Sequence, residues 1–107
     1  MSERIFDAAS AVVPHESAEQ VVSGNPTTGV IELGGFKGVE IGIWEITPGV
    51  VRDVEADEVF VVLEGDATVT FEDGEVIEIG PGAIVWLREG EQTQWEIRSR
   101  LRKVYLA

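Results

Sequence analysis

Apolar and polar residues alternate along much of this chain. Val39, Ile41 and Ile43 are interleaved with Glu40, Gly42 and Trp44, and Ala67, Val69 and Phe71 with Thr68, Thr70 and Glu72. A period of two marks a strand with one buried face, because successive side chains point to opposite sides. The same reading predicts short strands over residues 18–23, 30–33, 39–47, 58–63, 67–72, 75–79, 83–87, 91–97 and 101–106. Turn residues separate them: Gly24-Asn25-Pro26, Gly34-Gly35, Pro48-Gly49, Glu64-Gly65-Asp66, Asp73-Gly74, Gly80-Pro81-Gly82 and Glu89-Gly90. No helical period of useful length follows residue 18. Many short strands joined by glycine-rich turns predict an all-β protein, a closed barrel or a sandwich. Residues 1–17 form an N-terminal arm in which Pro14 stops any helix. Residues 18–107 form the one domain that this length allows.

Composition narrows the chemistry. The chain has no cysteine, which excludes thiolate metal sites and a cysteine nucleophile. Its 20 acidic and 8 basic residues give a net charge of −12, a field that repels phosphate backbones, so no nucleic-acid partner is expected. No apolar run exceeds the five residues of 59–63, far too few to span a bilayer, so no membrane partner is expected either. The N-terminal MSERIFDAAS has acids where a signal peptide carries a basic and then an apolar run, and a cytoplasmic location is the expectation.

The stretch from Pro48 to Gly65 organises the rest. Gly49, Glu58 and Gly65 match the first motif of the cupins, with six residues between the glutamate and the closing glycine. The His-x-His pair of that motif falls near Glu55 and Asp57. The second motif is matched in spacing by Gly82, Arg88, Gly90, Thr93 and Ile97, and only the glycines match in type. Trp44-Glu45, Asp57-Glu58, Gly80 to Gly82, Trp95, and Lys103 with Tyr105 resemble features of small single-domain cupins of the ureidoglycine aminohydrolase-like kind. The resemblance covers roughly residues 20 to 107. It implies a double-stranded β-helix, the jelly-roll barrel, with a short N-terminal arm.

Cupins that do metal chemistry hold the ion with two or three histidines and a glutamate. Here Glu58 stands at the glutamate position and acids stand where the histidines would be, so no metal and no cofactor are expected. Glu58, Phe60 and Val62 share one strand face, and Glu91, Thr93, Trp95 and Ile97 share another. The motif positions imply that Thr93 points inward beside Glu58, with Trp95 lining the same cavity. Glu58 then becomes a candidate general acid or base. The alternative is a structural Glu58, paired with Arg52 or Arg88 or exposed at the barrel lip. Glu55 and Asp57 are read as rim acids facing water, or as partners of Glu58, with Glu91, in a carboxylate-only site that would favour a hard cation. Trp44 and Trp86 are read as core or subunit contacts. Arg98, Arg100 and Arg102 alternate on one side of the last strand, as an anion site or as a solvated, ion-paired edge. His15, the sole histidine, is read as an exposed polar residue on the arm or as a group lent to a neighbouring subunit.

Three functions fit these residues. The first is a small-molecule-binding cupin with a metal-free pocket lined by Glu58, Phe60, Val62, Glu91, Thr93 and Trp95. The second, implied by the resemblance, is an enzyme of the ureidoglycine aminohydrolase-like kind. The third is a structural or regulatory domain whose barrel is plugged by its own side chains. A homodimer is expected, because exposed edge strands in small barrels tend to be paired or covered.

Overall fold

The computed structural model describes residues 4–107. Among them there is no helix, and so none long and apolar enough to cross a membrane. The strands are β1 (Glu16–Ser17), β2 (Val21–Ser23), β3 (Thr27–Phe36), β4 (Val39–Ile46), β5 (Gly49–Val54), β6 (Glu58–Phe71), β7 (Val76–Ile79), β8 (Ile84–Leu87) and β9 (Gln92–Leu106). All pairings are antiparallel. The all-β architecture expected from the period of two holds.

Two long strands, β6 and β9, tie the fold together. The first half of β6 pairs with β8 on one side and with the last residues of β9 on the other, and β9 passes the ladder on to β4 and β3. The second half of β6 pairs with β7 and with the first residues of β9, which in turn pair with β5. The result is a curled sheet of two halves around one core that includes Phe60, Val62, Val69, Phe71, Trp95 and Ile97.

The sequence reading differs at the place where the sheet bends. It predicts a hairpin turn at Glu64-Gly65-Asp66 and a break between 97 and 101, yet both strands run through. The β6–β9 register shifts between Val62 and Ala67 instead. Gly65 has φ +106°, and a Cβ there would run into the backbone of Arg100 and Leu101, 2.5 Å from the Leu101 Cα. Only glycine allows this conformation and this closeness, so the residue that signals a turn makes a bulge. Strand β5 is missing from the sequence reading. Its Gly-Val-Val start was absorbed into the Pro48-Gly49 turn.

The arm lies against the outer face of β3 and β4. Gly29 makes room for it, since a Cβ there would sit 2.6 Å from Val13 Cγ1, and Val13 is buried. The chain then enters β1 and crosses to β2, which pairs with β5.

Candidate functional site

Register places the site. Across the β4–β9 ladder, Trp44 stands opposite Lys103 and Gly42 opposite Tyr105. Across β6–β9, Val62 stands opposite Lys103 and Phe60 opposite Tyr105. The inward-facing positions of three adjacent strands therefore converge on the side chain of Lys103. Its ammonium is 2.7 Å from Glu58 Oε2 and lies 4.2, 4.7 and 5.1 Å from the ring centroids of Phe60, Trp44 and Trp95. Lys103 is 6% exposed. Burying an ammonium this far is tolerable because the carboxylate balances its charge and the ring faces attract it.

A second carboxylate sits close by. Glu55 is buried, and its Oε2 accepts from the Thr93 hydroxyl at 2.6 Å and from Trp95 Nε1 at 3.1 Å. Trp95 Nε1 also reaches Thr93 Oγ1 at 3.0 Å. Burial pushes the Glu55 carboxyl above the usual carboxylate range, and the charge of Asp53 adds to this. The hydrogen bonds from Thr93 and Trp95 and the charge of Lys103 oppose the rise without cancelling it. Tyr105 is also held above the ordinary phenol value, first by burial and then by Glu40, Glu32 and Glu58. Gly42 lets its ring lie close, since any Cβ at that position would collide with the phenol oxygen.

These groups line a cavity of about 480 Å³. Trp44, Trp95 and Tyr105 form its walls, Glu55, Glu58 and Lys103 supply charge, and Arg52 and Asp53 of β5 flank them. Residues 16–20, where the arm becomes β1 and the following loop, contribute the remaining side.

The predicted residues fall as follows. Glu58 and Trp95 line the cavity. Phe60 and Val62 are buried behind the lining, at 0% and 1% exposure. Thr93 is inward but is also behind the lining, bonded to Glu55 rather than set beside Glu58. Glu91 is away from the cavity: its carboxylate accepts from the Arg88 amide at 2.6 Å in the β8–β9 turn. Glu58 is paired, but with Lys103 rather than with Arg52 or Arg88. Glu55 is no rim acid, because the bend before β6 turns it under Trp95, while Asp57 is exposed and accepts from the Glu89 amide. Trp44 forms a cavity wall, and Trp86 is 62% exposed.

Behind β4 lies a separate polar cluster. Glu45 is buried on the opposite face from Trp44, with Oε1 2.6 Å from His15 Nε2 and Oε2 accepting from Arg102 Nε at 2.7 Å. Arg102 also donates to the carbonyls of Ala8 and Ala9 at 2.9 and 3.0 Å. His15 and Arg102 thus fasten the arm, and His15 is neither loose nor without a partner. Arg98 pairs with Asp66 and Glu78, and Arg100 with Glu64. The three arginines are ion-paired, and Arg102 is buried rather than solvated.

A cupin metal centre does not fit these residues. Among the described residues no three of His, Cys, Asp and Glu are grouped to hold an ion. The carboxylate at the family's glutamate position already holds an ammonium, whose charge would repel a metal cation.

Comparison with known proteins agrees with this architecture. A structure from Rhizobium leguminosarum bv. viciae of unknown function is 28% identical, with 99% of this chain and 96% of that one covered at a TM-score of 0.74. An ethanolamine utilization protein Q from Salmonella typhimurium shares the fold at 18% identity, with 87% and 76% covered and a TM-score of 0.67. A DUF861 family protein from Thermotoga maritima is 31% identical over 59% of this chain and 73% of its own, at a TM-score of 0.56. No curated protein matches. The model of the EutQ-like cupin domain matches residues 33–105, from within β3 to near the end of β9, and the chain belongs to that family.

Proposed function

We propose that this cupin binds a small organic amine carrying an oxygen function, in the cavity above the Glu58–Lys103 pair. The observation that carries this reading is the lining itself. Five carboxyl groups, those of Glu16, Glu19, Asp53, Glu55 and Glu58, stand against two cations, Arg52 and Lys103. Lys103 is already paired with Glu58. A cationic group is therefore favoured towards Asp53 and Glu55, with the apolar part of the ligand against Trp44 and Trp95. Glu58 takes one of the three donors of the ammonium, so a ligand oxygen at the inner end can meet another. The Salmonella protein's name supports the choice of ethanolamine as first probe.

The finer likeness to ureidoglycine aminohydrolase-like cupins is second to this reading. The activity that the likeness implies depends on a metal, and the donor set here does not suit one. The test is calorimetric titration with ethanolamine, ethylene glycol and glycolate, which share a size and differ in charge. Saturable heat with ethanolamine alone, weakened in Asp53→Asn, supports the proposal. Tighter binding of glycolate than of ethanolamine, or no binding of either, refutes it.

A further inference from the structure

Residues 14–25 are held at both ends and loosely in between. Val13 is buried in the recess above Gly29, and Pro26 is buried against Gly49, where a Cβ would sit 2.7 Å from the Pro26 Cδ. Between these two anchors no residue is buried, and Ala18 alone packs against the core cluster. The strands here are short: β1 pairs two residues with β3, and β2 pairs with β5 across a register shift. Between β1 and β2 the backbone is tied by Ala18 N–H to the Pro26 carbonyl and by Arg52 N–H to the Gln20 carbonyl, each at 3.0 Å. Gln20 has φ +53°, a left-handed conformation that favours glycine and costs other residues free energy. Few buried contacts and a strained residue mark a segment that opens more readily than the sheet beneath it. The same segment closes one side of the cavity, through Glu16, Ser17, Ala18, Glu19 and Gln20.

We infer that residues 16–20 are a strap over the cavity, and that Glu45, on the opposite face of the sheet, controls access by holding the root of that strap. Alternation carries the coupling, since successive residues of an extended chain point to opposite sides. Glu16 lines the cavity, whereas its neighbour His15 turns to the outer face, with Nε2 2.6 Å from Glu45 Oε1 and Nδ1 2.8 Å from Thr27 Oγ1. On β4 the same division recurs: Trp44 is a cavity wall, and Glu45 is buried behind it. Glu45 is in turn fixed by Arg102, at 2.7 Å from Nε. It touches His15 and not the cavity, so it is a positioning residue. Charge gives the strap a direction. Glu16 and Glu19 ride on it, and the other lining carboxyl groups are those of Asp53, Glu55 and Glu58. Repulsion among these acids favours opening of the empty cavity, and a cationic occupant draws the strap in. That direction rests on the amine reading above, whereas the control of access by Glu45 does not.

Acrylamide quenching of tryptophan fluorescence tests this without any ligand. Trp86→Phe serves as the parent, because the two tryptophans it leaves, Trp44 and Trp95, both line the cavity. Glu45→Gln in that parent is expected to raise the quenching constant about twofold or more, with amide exchange faster in residues 16–20 and unchanged in β6. A reversible cross-link separates a loosened strap from a loosened fold. The chain has no cysteine, and Glu16 stands opposite Thr28 across β1 and β3. Oxidised Glu16→Cys/Thr28→Cys fastens the root covalently. In the Glu45→Gln background it is expected to return quenching to the parent value, and dithiothreitol to raise it again. Quenching unmoved by Glu45→Gln overturns the inference. So does a rise that the cross-link fails to reverse, or one accompanied by faster exchange in β6, since either places the effect in the sheet as a whole. No amine is present in these measurements, so the strap and the proposed ligand stand or fall separately.

Discussion

Replacing Glu58 by glutamine tests the centre of the site directly. The Lys103 ammonium is 7% exposed at its side chain and has one charged neighbour within hydrogen-bond distance. Removing one partner of a fully buried pair costs about 3–5 kcal/mol, because the other charge is left uncompensated. Two features reduce that here. Glu58 is 19% exposed, so solvent screens part of the attraction, and glutamine keeps an oxygen that can accept from Nζ. Three ring faces also remain to hold the cation. The loss expected is roughly 1–3 kcal/mol, which for a domain of this size lowers Tm by about 5–15 °C. Urea unfolding followed by circular dichroism at pH 7 measures it. Lys103→Met removes the charge and keeps the apolar stem, and the double variant then isolates the pair. Glu58→Gln in the Lys103→Met background is expected to cost little, since no buried ammonium remains. A Glu58→Gln loss below about 0.5 kcal/mol, or one that persists undiminished without Lys103, refutes the electrostatic account.

Thr93→Val keeps the shape of the side chain but strips Glu55 of its closest donor, and a loss of about 1–3 kcal/mol in urea unfolding is expected. The raised Glu55 carboxyl implies that ethanolamine binding weakens as pH falls through that raised value, above the ordinary carboxylate range, and a calorimetric pH series reads this directly. At Glu45, burial raises the carboxyl, but the bonds from His15 and Arg102 and the charges of Arg102 and Arg100 outweigh it and hold it below 4.5. Its stabilisation is therefore full above 4.5 and is lost as pH falls through the lowered folded value, so the protection of amides in residues 8–17 relative to their intrinsic exchange rates falls in acid, and in Glu45→Gln already at neutral pH. Gly42→Ala places a methyl group 2.6 Å from the Ile31 carbonyl oxygen and against Tyr105, and a loss of about 1–3 kcal/mol is expected from thermal unfolding.

Much of the fold was legible because alternation depends only on neighbours. Strands over 39–47 and 75–79 match β4 and β7 closely. What misled was glycine: Gly65 and its flanking polar residues carry a hairpin's composition. The same composition serves a bulge when a partner strand lies close on the far side, and that closeness is a long-range fact. The site failed in the same manner. Face parity placed Glu58, Phe60 and Val62 inward, and they are inward, but it could not say which side chains stop short of the cavity.

The deeper omission is Lys103, which had entered the sequence reading only as part of a basic-x-Tyr ending. A signal for it did exist. Leu101, Lys103 and Tyr105 share one face of β9, and the other two are apolar or aromatic residues of the core. A lone lysine on a buried face needs a carboxylate, and Glu58 was the acid already assigned inward. Joining the two would have predicted the ion pair without coordinates. It would also have replaced the question of missing histidines with a better one. A cupin that holds its glutamate against an ammonium has filled the centre of its barrel with a cation of its own, fixed by covalent attachment and walled by three rings. The ligand must then be recognised around that pair, by the carboxylates and aromatic faces at the side of the cavity, and substitutions at Asp53 and Trp44 should alter binding more selectively than they alter folding.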